Sequence, residues 1–135
     1  MKNLKKKIDE KYLRSEVSKI DDGDLEMVMK NNKKISDKIT DTNILKRYTE
    51  LAKAMFGMIK DYRKGAYTKV PWFSIAASAV ALLYIFNPLD MVPDFIPGVG
   101  YVDDLTVFTL ALKFVQTDIH KYLDWKTEVQ SVEEA

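Results

Sequence analysis

The sequence predicts an all-α protein, a small helical bundle built on an apolar helix–loop–helix hairpin with a Pro/Asp-rich loop. Three observations carry this. Apolar residues recur every three to four positions with no alternating β-type run, Val70 to Leu89 is a stretch of 20 residues without charge, and three of the four prolines fall in the segment 87–104 at and beyond its end.

With 135 residues, 47% of them hydrophobic, the chain can fill one core and is too short for two ordinary ones. Its expected layout is a charged N-terminal helical arm over 1–43, a helical domain over 44–125 with the hairpin at 70–124, and an acidic tail over 126–135 that frays. There is no cysteine, which excludes disulfides and thiolate metal sites. The basic start, Met1 to Lys7, is followed by Ile8-Asp9-Glu10-Lys11 where an export signal needs apolar residues, so Sec export is not expected. A formal net charge of +1 hides an asymmetry: residues 1–69 hold 18 Lys/Arg against 11 Asp/Glu, a net +7, and residues 70–135 hold 3 against 9, a net −6. Such a basic half suits an anionic partner, and solvated helix faces also produce it.

Leu4, Ile8, Tyr12 or Leu13, Val17 and Ile20 mark a weakly amphipathic first helix. After Asp21-Asp22-Gly23, Asp24 is placed as the cap of a second helix carrying Leu25, Val28, Ile35 and Ile39, with Asn31-Asn32 as a weak point in its middle. The region reads as a docking arm. A firmer helix carries Ile44 or Leu45, Tyr48, Leu51, Met55, Ile59 and Tyr62, and Gly65 stops it after the cations Arg63 and Lys64. In the charge-free run Pro71 suits a first turn, Asn87-Pro88 marks the end, and both faces are apolar: Trp72, Ile75, Ala79, Leu82 or Leu83 and Phe86 on one, Phe73, Ala77, Val80 and Tyr84 on the other. The last helix starts at Asp103 or Asp104 and carries Leu105, Phe108, Leu112, Val115, Ile119 and Tyr122, turning amphipathic from Lys113 onward.

A helix apolar all round is buried in protein or exposed to lipid. At about 1.5 Å per residue Val70–Leu89 just crosses a hydrocarbon core of about 30 Å. The next helix would place Lys113 mid-membrane at a cost of about 2.5–3.5 kcal/mol, which disfavours a two-span hairpin. Lys60, Arg63, Lys64 and Lys69 crowd the entry to the run, so that end is expected at the cytoplasmic side, with Tyr67, Trp72 and Phe73 at headgroup depth. In the competing reading the same helix is buried in a soluble bundle under residues 44–64.

The connection Asn87-Pro88-Leu89-Asp90-Met91-Val92-Pro93-Asp94-Phe95-Ile96-Pro97-Gly98-Val99-Gly100-Tyr101-Val102-Asp103-Asp104 is stiffened by its prolines, and Gly98 and Gly100 permit sharp bends. Together with Val70-Pro71-Trp72 and Ala81-Leu82-Leu83-Tyr84, it resembles the signature of the YkvA-like family, the bacterial domain of unknown function 1232, over roughly residues 60–115. Asn87 departs from the small residue expected before the proline. The resemblance implies a membrane-associated helical hairpin and brings no activity with it.

Asp90, Asp94, Asp103 and Asp104 gather four carboxylates in a stretch with no Lys or Arg from 70 to 112. In the structural reading Asp103 caps the last helix while Asp90 and Asp94 close turns around the prolines. In a sharper one the four ligate Ca²⁺ or Mg²⁺ through oxygen, although their spacing is not that of an EF-hand. In a third, Asp90 or Asp94 is an intramembrane acid.

Enzyme motifs are missing. There is no P-loop, Gly-x-Gly-x-x-Gly or His-Glu-x-x-His, and His120, the one histidine, reads as a surface residue. The N-terminal lysines alternate with acids and lack interleaved aromatics, so nucleic acid is not an expected partner. The expectation is a non-enzymatic, membrane-associated protein on the cytoplasmic side. It would contact lipid, a membrane protein or a second copy through Trp72, Phe73, Leu82, Leu83 and Phe86, and would need no cofactor. The alternative is a soluble domain holding a divalent cation at the loop aspartates, with a hydrolytic or regulatory role.

Overall fold

The computed structural model describes residues 10–41, 46–86 and 104–134, and every regular element among them is helical. The order is α1 (Glu10–Val17), α2 (Asp22–Lys30), α3 (Asn32–Asp41), a 3₁₀ turn (Lys46–Tyr48), α4 (Thr49–Arg63), α5 (Trp72–Phe86) and α6 (Asp104–Glu134). The all-α bundle expected from the sequence is what forms.

The architecture is a central rod with a wrapping. Helix α5 stands in the middle, and all five other α-helices pack on it, α6 most extensively. Every residue from Ser74 to Ile85 is buried. Its uniformly apolar circumference is therefore matched by protein on all sides, and burial of that much apolar surface is the main stabilising term of the fold. The covering helices bury one stripe each. Leu13 and Val17 come from α1, Leu25 and Val28 from α2, Ile35 and Ile39 from α3, Met55, Met58 and Ile59 from α4, and Phe108, Val115, Ile119 and Tyr122 from α6. The segment read as a docking arm is thus docked on the chain's own central helix.

Local chemistry revises three boundaries. Asp21, not Asp24, caps α2. The Asp24 amide donates to Asp21 Oδ1 at 3.1 Å and the Asp21 amide donates to Asp24 Oδ2 at 3.0 Å, so Asp24 is the third-residue half of a reciprocal capping box. The long second helix divides at Asn31, whose side-chain amide bonds the Met27 carbonyl at 2.9 Å and competes with helix continuation. The C-terminal residues expected to fray continue α6 as helix to Glu134.

The expected stop after Arg63 is present. Gly65 takes φ 78°, and the Ala66 and Tyr67 amides donate back to the Asp61 carbonyl at 2.9 and 3.1 Å. This left-handed closure is open to glycine and costly for other residues. Pro71 sits just outside α5, its carbonyl accepting from the Ser74 amide at 3.0 Å, so its missing N–H leaves no bond unmade.

No described helix is long and apolar enough to cross a membrane. Helix α5 is apolar enough, but its described part has 15 residues, about 22 Å at 1.5 Å per residue. Helix α6, with 31 residues, is long enough but carries charge along its second half. Of the two readings of the 70–89 run, a transmembrane helix or one buried in a bundle, the described part, Trp72–Phe86, shows a helix covered by protein and no span; residues 87–89 lie outside the described residues.

Candidate functional site

The α4–α5 connection, residues 64–71, turns the chain over one end of the bundle and puts two chemistries back to back. Inside lies a polar network. The Tyr122 hydroxyl donates to Asp61 Oδ2 at 2.6 Å, Lys126 Nζ lies 3.6 Å from the same oxygen, and it donates to the Tyr122 hydroxyl at 3.3 Å. Asp61 is largely buried, with 15% of its side chain accessible, so Lys126 compensates a charge that would otherwise be costly. One turn before Asp61, Gly57 leaves the room this needs, because a Cβ there would fall 2.6 Å from the Tyr122 oxygen. Tyr67, from the connection, seals the network. Its ring packs on Tyr122 at 5.2 Å and on Trp125 at 4.8 Å, within the range for favourable aromatic pairs. Beyond it Ser74 hydrogen-bonds Asp118, tying α5 to α6.

Burial, and then the negatively charged Asp61 carboxylate accepting its hydrogen bond, push the Tyr122 hydroxyl well above the usual tyrosine range. Tyr67 moves the same way through burial and the Asp118 charge. On α1, burial and the neighbouring Glu16 push Tyr12 up to about 12. Tyr122 is thereby held as a neutral donor to Asp61.

Outside lies a basic and aromatic face. Lys60, Lys64 and Lys69 are exposed and reach no acidic side chain among the described residues. Arg63, the fourth cation of the cluster, differs: it forks to Asp22 with nitrogen–oxygen distances of 3.2 and 3.3 Å, latching α4 to α2. Trp72 opens α5 with 39% of its surface exposed and its ring against Tyr62 at 6.1 Å.

The residues expected to touch lipid or a partner fall into two groups. Trp72 is exposed and Phe73 and Phe86 are half-buried at the two ends of α5, whereas Leu82 and Leu83 are buried in the core. Phe73 meets Phe114 edge-on at 6.4 Å and lies under the Arg14 guanidinium at 4.9 Å. Phe86 lines a shallow groove with Gly23, Glu26, Met27, Lys30 and Asn31. Tyr67, expected at headgroup depth, is spent on the interior instead. His120 is exposed.

Of the four aspartates read as a candidate cation site, three, Asp90, Asp94 and Asp103, lie outside the described residues, and Asp104 opens α6. Among the described residues no group of three His, Asp or Glu side chains could hold a metal ion.

Sequence reading missed the Asp61–Tyr122–Lys126 network. Its members lie 61 positions apart in the chain, beyond the reach of any local pattern. A glycine inside an otherwise firm helix, Gly57, and the four-residue spacing of Tyr122 and Lys126 were the available signals.

Comparison with known proteins adds three findings. A family model described as "Protein of unknown function (DUF1232)" matches residues 74–110, from the first turn of α5 into α6. A relative from Bacillus subtilis (strain 168), described as "Uncharacterized membrane protein YkvA", is 33% identical over 73 residues, covering 54% of this chain and 69% of that protein. No solved structure matches.

Proposed function

The chain belongs to the YkvA-like family of proteins of unknown function (DUF1232), and from that membership we propose that it is a non-enzymatic scaffold bound peripherally to the cytoplasmic face of a membrane. The relative is described as a membrane protein. In this chain the apolar helix is already covered by protein on every side, so membrane contact falls to the surface. One observation carries the reading: the exposed Trp72 ring opens α5 just after Lys60, Lys64 and Lys69, which reach no acid among the described residues. An indole with one apolar and one wet side suits headgroup depth. Each lysine near an anionic leaflet contributes about 1 kcal/mol.

Sedimentation of the full chain with vesicles of mixed zwitterionic and anionic phospholipid tests this directly. Binding is expected, weakened by salt and about 100-fold weaker in a Lys60→Glu/Lys64→Glu/Lys69→Glu variant, the sum of three such contributions. Trp72 fluorescence, isolated by Trp125→Phe, should be quenched by a lipid-borne quencher. A chain that ignores anionic vesicles, or a triple variant that binds them as the parent does, would overturn the proposal.

A further inference from the structure

Helix α6 outruns the bundle at the same end. It runs alongside α4 as far as the Asp61–Lys126 pair, near the end of α4 at Arg63. Its last two turns, Thr127–Glu134, continue about 12 Å further at 1.5 Å per residue. Their apolar stripe does not stop with the bundle. The core positions Val115, Ile119 and Tyr122 continue at the same three- and four-residue steps into Trp125, Val129 and Val132, of which Val132 is 76% exposed. These turns carry Glu128, Glu133 and Glu134 and no cation. One end of the molecule thus presents an acidic, partly apolar helix end and a basic face with an exposed tryptophan. Among the described residues Lys60, Lys64 and Lys69 reach no acid, and a continuous helix anchored at Asp61 through Tyr122 and Lys126 cannot fold back onto them.

We propose that two copies of this chain pair head to head at this end, each laying Thr127–Glu134 across the lysine and Trp72 face of the other. The surface is self-complementary, as a two-fold symmetric contact requires, and the two identical crossings double the buried area. Each crossing is short, so the pair lies at the small end of specific interfaces and is transient. Its charges also make it salt-sensitive. The proposal goes beyond membrane binding and uses the same lysines, so dimer and membrane compete for them.

A pair of charge-reversed variants of the full chain tests it, with sedimentation velocity as the readout and circular dichroism confirming that each folds. In the first, Glu128→Lys/Glu133→Lys/Glu134→Lys makes both surfaces basic. In the second, Lys60→Glu/Lys64→Glu/Lys69→Glu makes both acidic. The parent is expected to dimerise at low salt and dissociate at high salt, and each variant alone to stay monomeric. Their equimolar mixture should dimerise, because both crossings are again complementary. The single change Val132→Asp, at a position too exposed to unfold the chain, should weaken the parent dimer at least tenfold. A parent that stays monomeric at low salt, variants that dimerise alone, or a mixture that stays monomeric would overturn the proposal. Membrane binding is judged separately: the first variant should bind anionic vesicles and the second should not, whatever their oligomeric states.

Discussion

Helices α5 and α6 lie against each other, yet they solve opposite problems. Helix α5 has no polar face, and twelve consecutive residues, Ser74 to Ile85, are buried because five helices surround it. Helix α6 is twice as long, buries a single stripe as far as Tyr122 and then runs out into solvent. The comparison teaches that hydropathy alone does not separate a helix sheathed in lipid from one sheathed in protein. Among the described residues the helix apolar enough for a bilayer is too short to cross it, and the helix long enough carries charge.

The strongest way to break this contrast is a charge in the middle of α5. Leu82→Asp places an unpaired carboxylate at a position with 0% exposure, and is expected to destabilise the fold by more than about 4 kcal/mol in urea titration. A loss below about 1 kcal/mol would mean that α5 is not enclosed.

The contact between α4 and α6 gives the next effect. Gly57→Ala should gain helix propensity of about 1 kcal/mol, but its Cβ would sit 2.6 Å from the Tyr122 oxygen. Overpacking of about 1–3 kcal/mol should win, giving net destabilisation. In a Tyr122→Phe background the clashing oxygen is gone, and the same change should turn neutral or stabilising. A double-mutant cycle checks the sign reversal.

Tyr122→Phe alone removes one hydrogen bond to a charged acceptor and should cost about 1.5–3 kcal/mol. It also bears on alkaline stability. A tyrosine that holds its proton more tightly folded than unfolded contributes stability that is intact below its unfolded pKa of about 10 and lost as pH rises through the folded value. For Tyr12 that window is pH 10 to about 12, and Tyr122, also shifted upward, extends the loss in the same direction. Thermal melts should fall steadily from pH 10 upward, and fall less in a Tyr12→Phe/Tyr122→Phe variant.

The smallest expected effect lies at the rim of the wrapping. Asp21→Ala removes the side-chain half of the α2 capping box and should cost about 1 kcal/mol in the same titration.

Legibility in the sequence followed the range of the interactions. The start of α5 after Pro71 and the end of α4 before Gly65 were readable because proline and glycine act on the backbone locally. The wrapping stripes of α1 to α4 were readable as periodicity, since each helix must hide one face. The capping residue of α2 was misread because Asp21 and Asp24 are both good caps, and only the reciprocal hydrogen bonds distinguish first residue from third. The continuation of α6 to Glu134 was hidden by composition: acidic, sparse in apolar residues, it reads as a tail. Of the candidate surface, the lysine cluster and Trp72 were legible. That Tyr67 turns inward while Trp72 turns outward depends on Tyr122 and Trp125, more than fifty residues away, and no local pattern could show it.

Amide hydrogen exchange along α5, in detergent-free buffer with and without anionic vesicles, bears most directly on the enclosure of this helix. Enclosure by protein predicts that amides from Ala76 to Ile85 exchange only through global unfolding, at the slowest rates in the chain, and that vesicles leave them unchanged while slowing exchange around residues 64–72. Fast exchange through the middle of α5 in a chain that stays folded, or protection there that arises only when lipid is added, would contradict it.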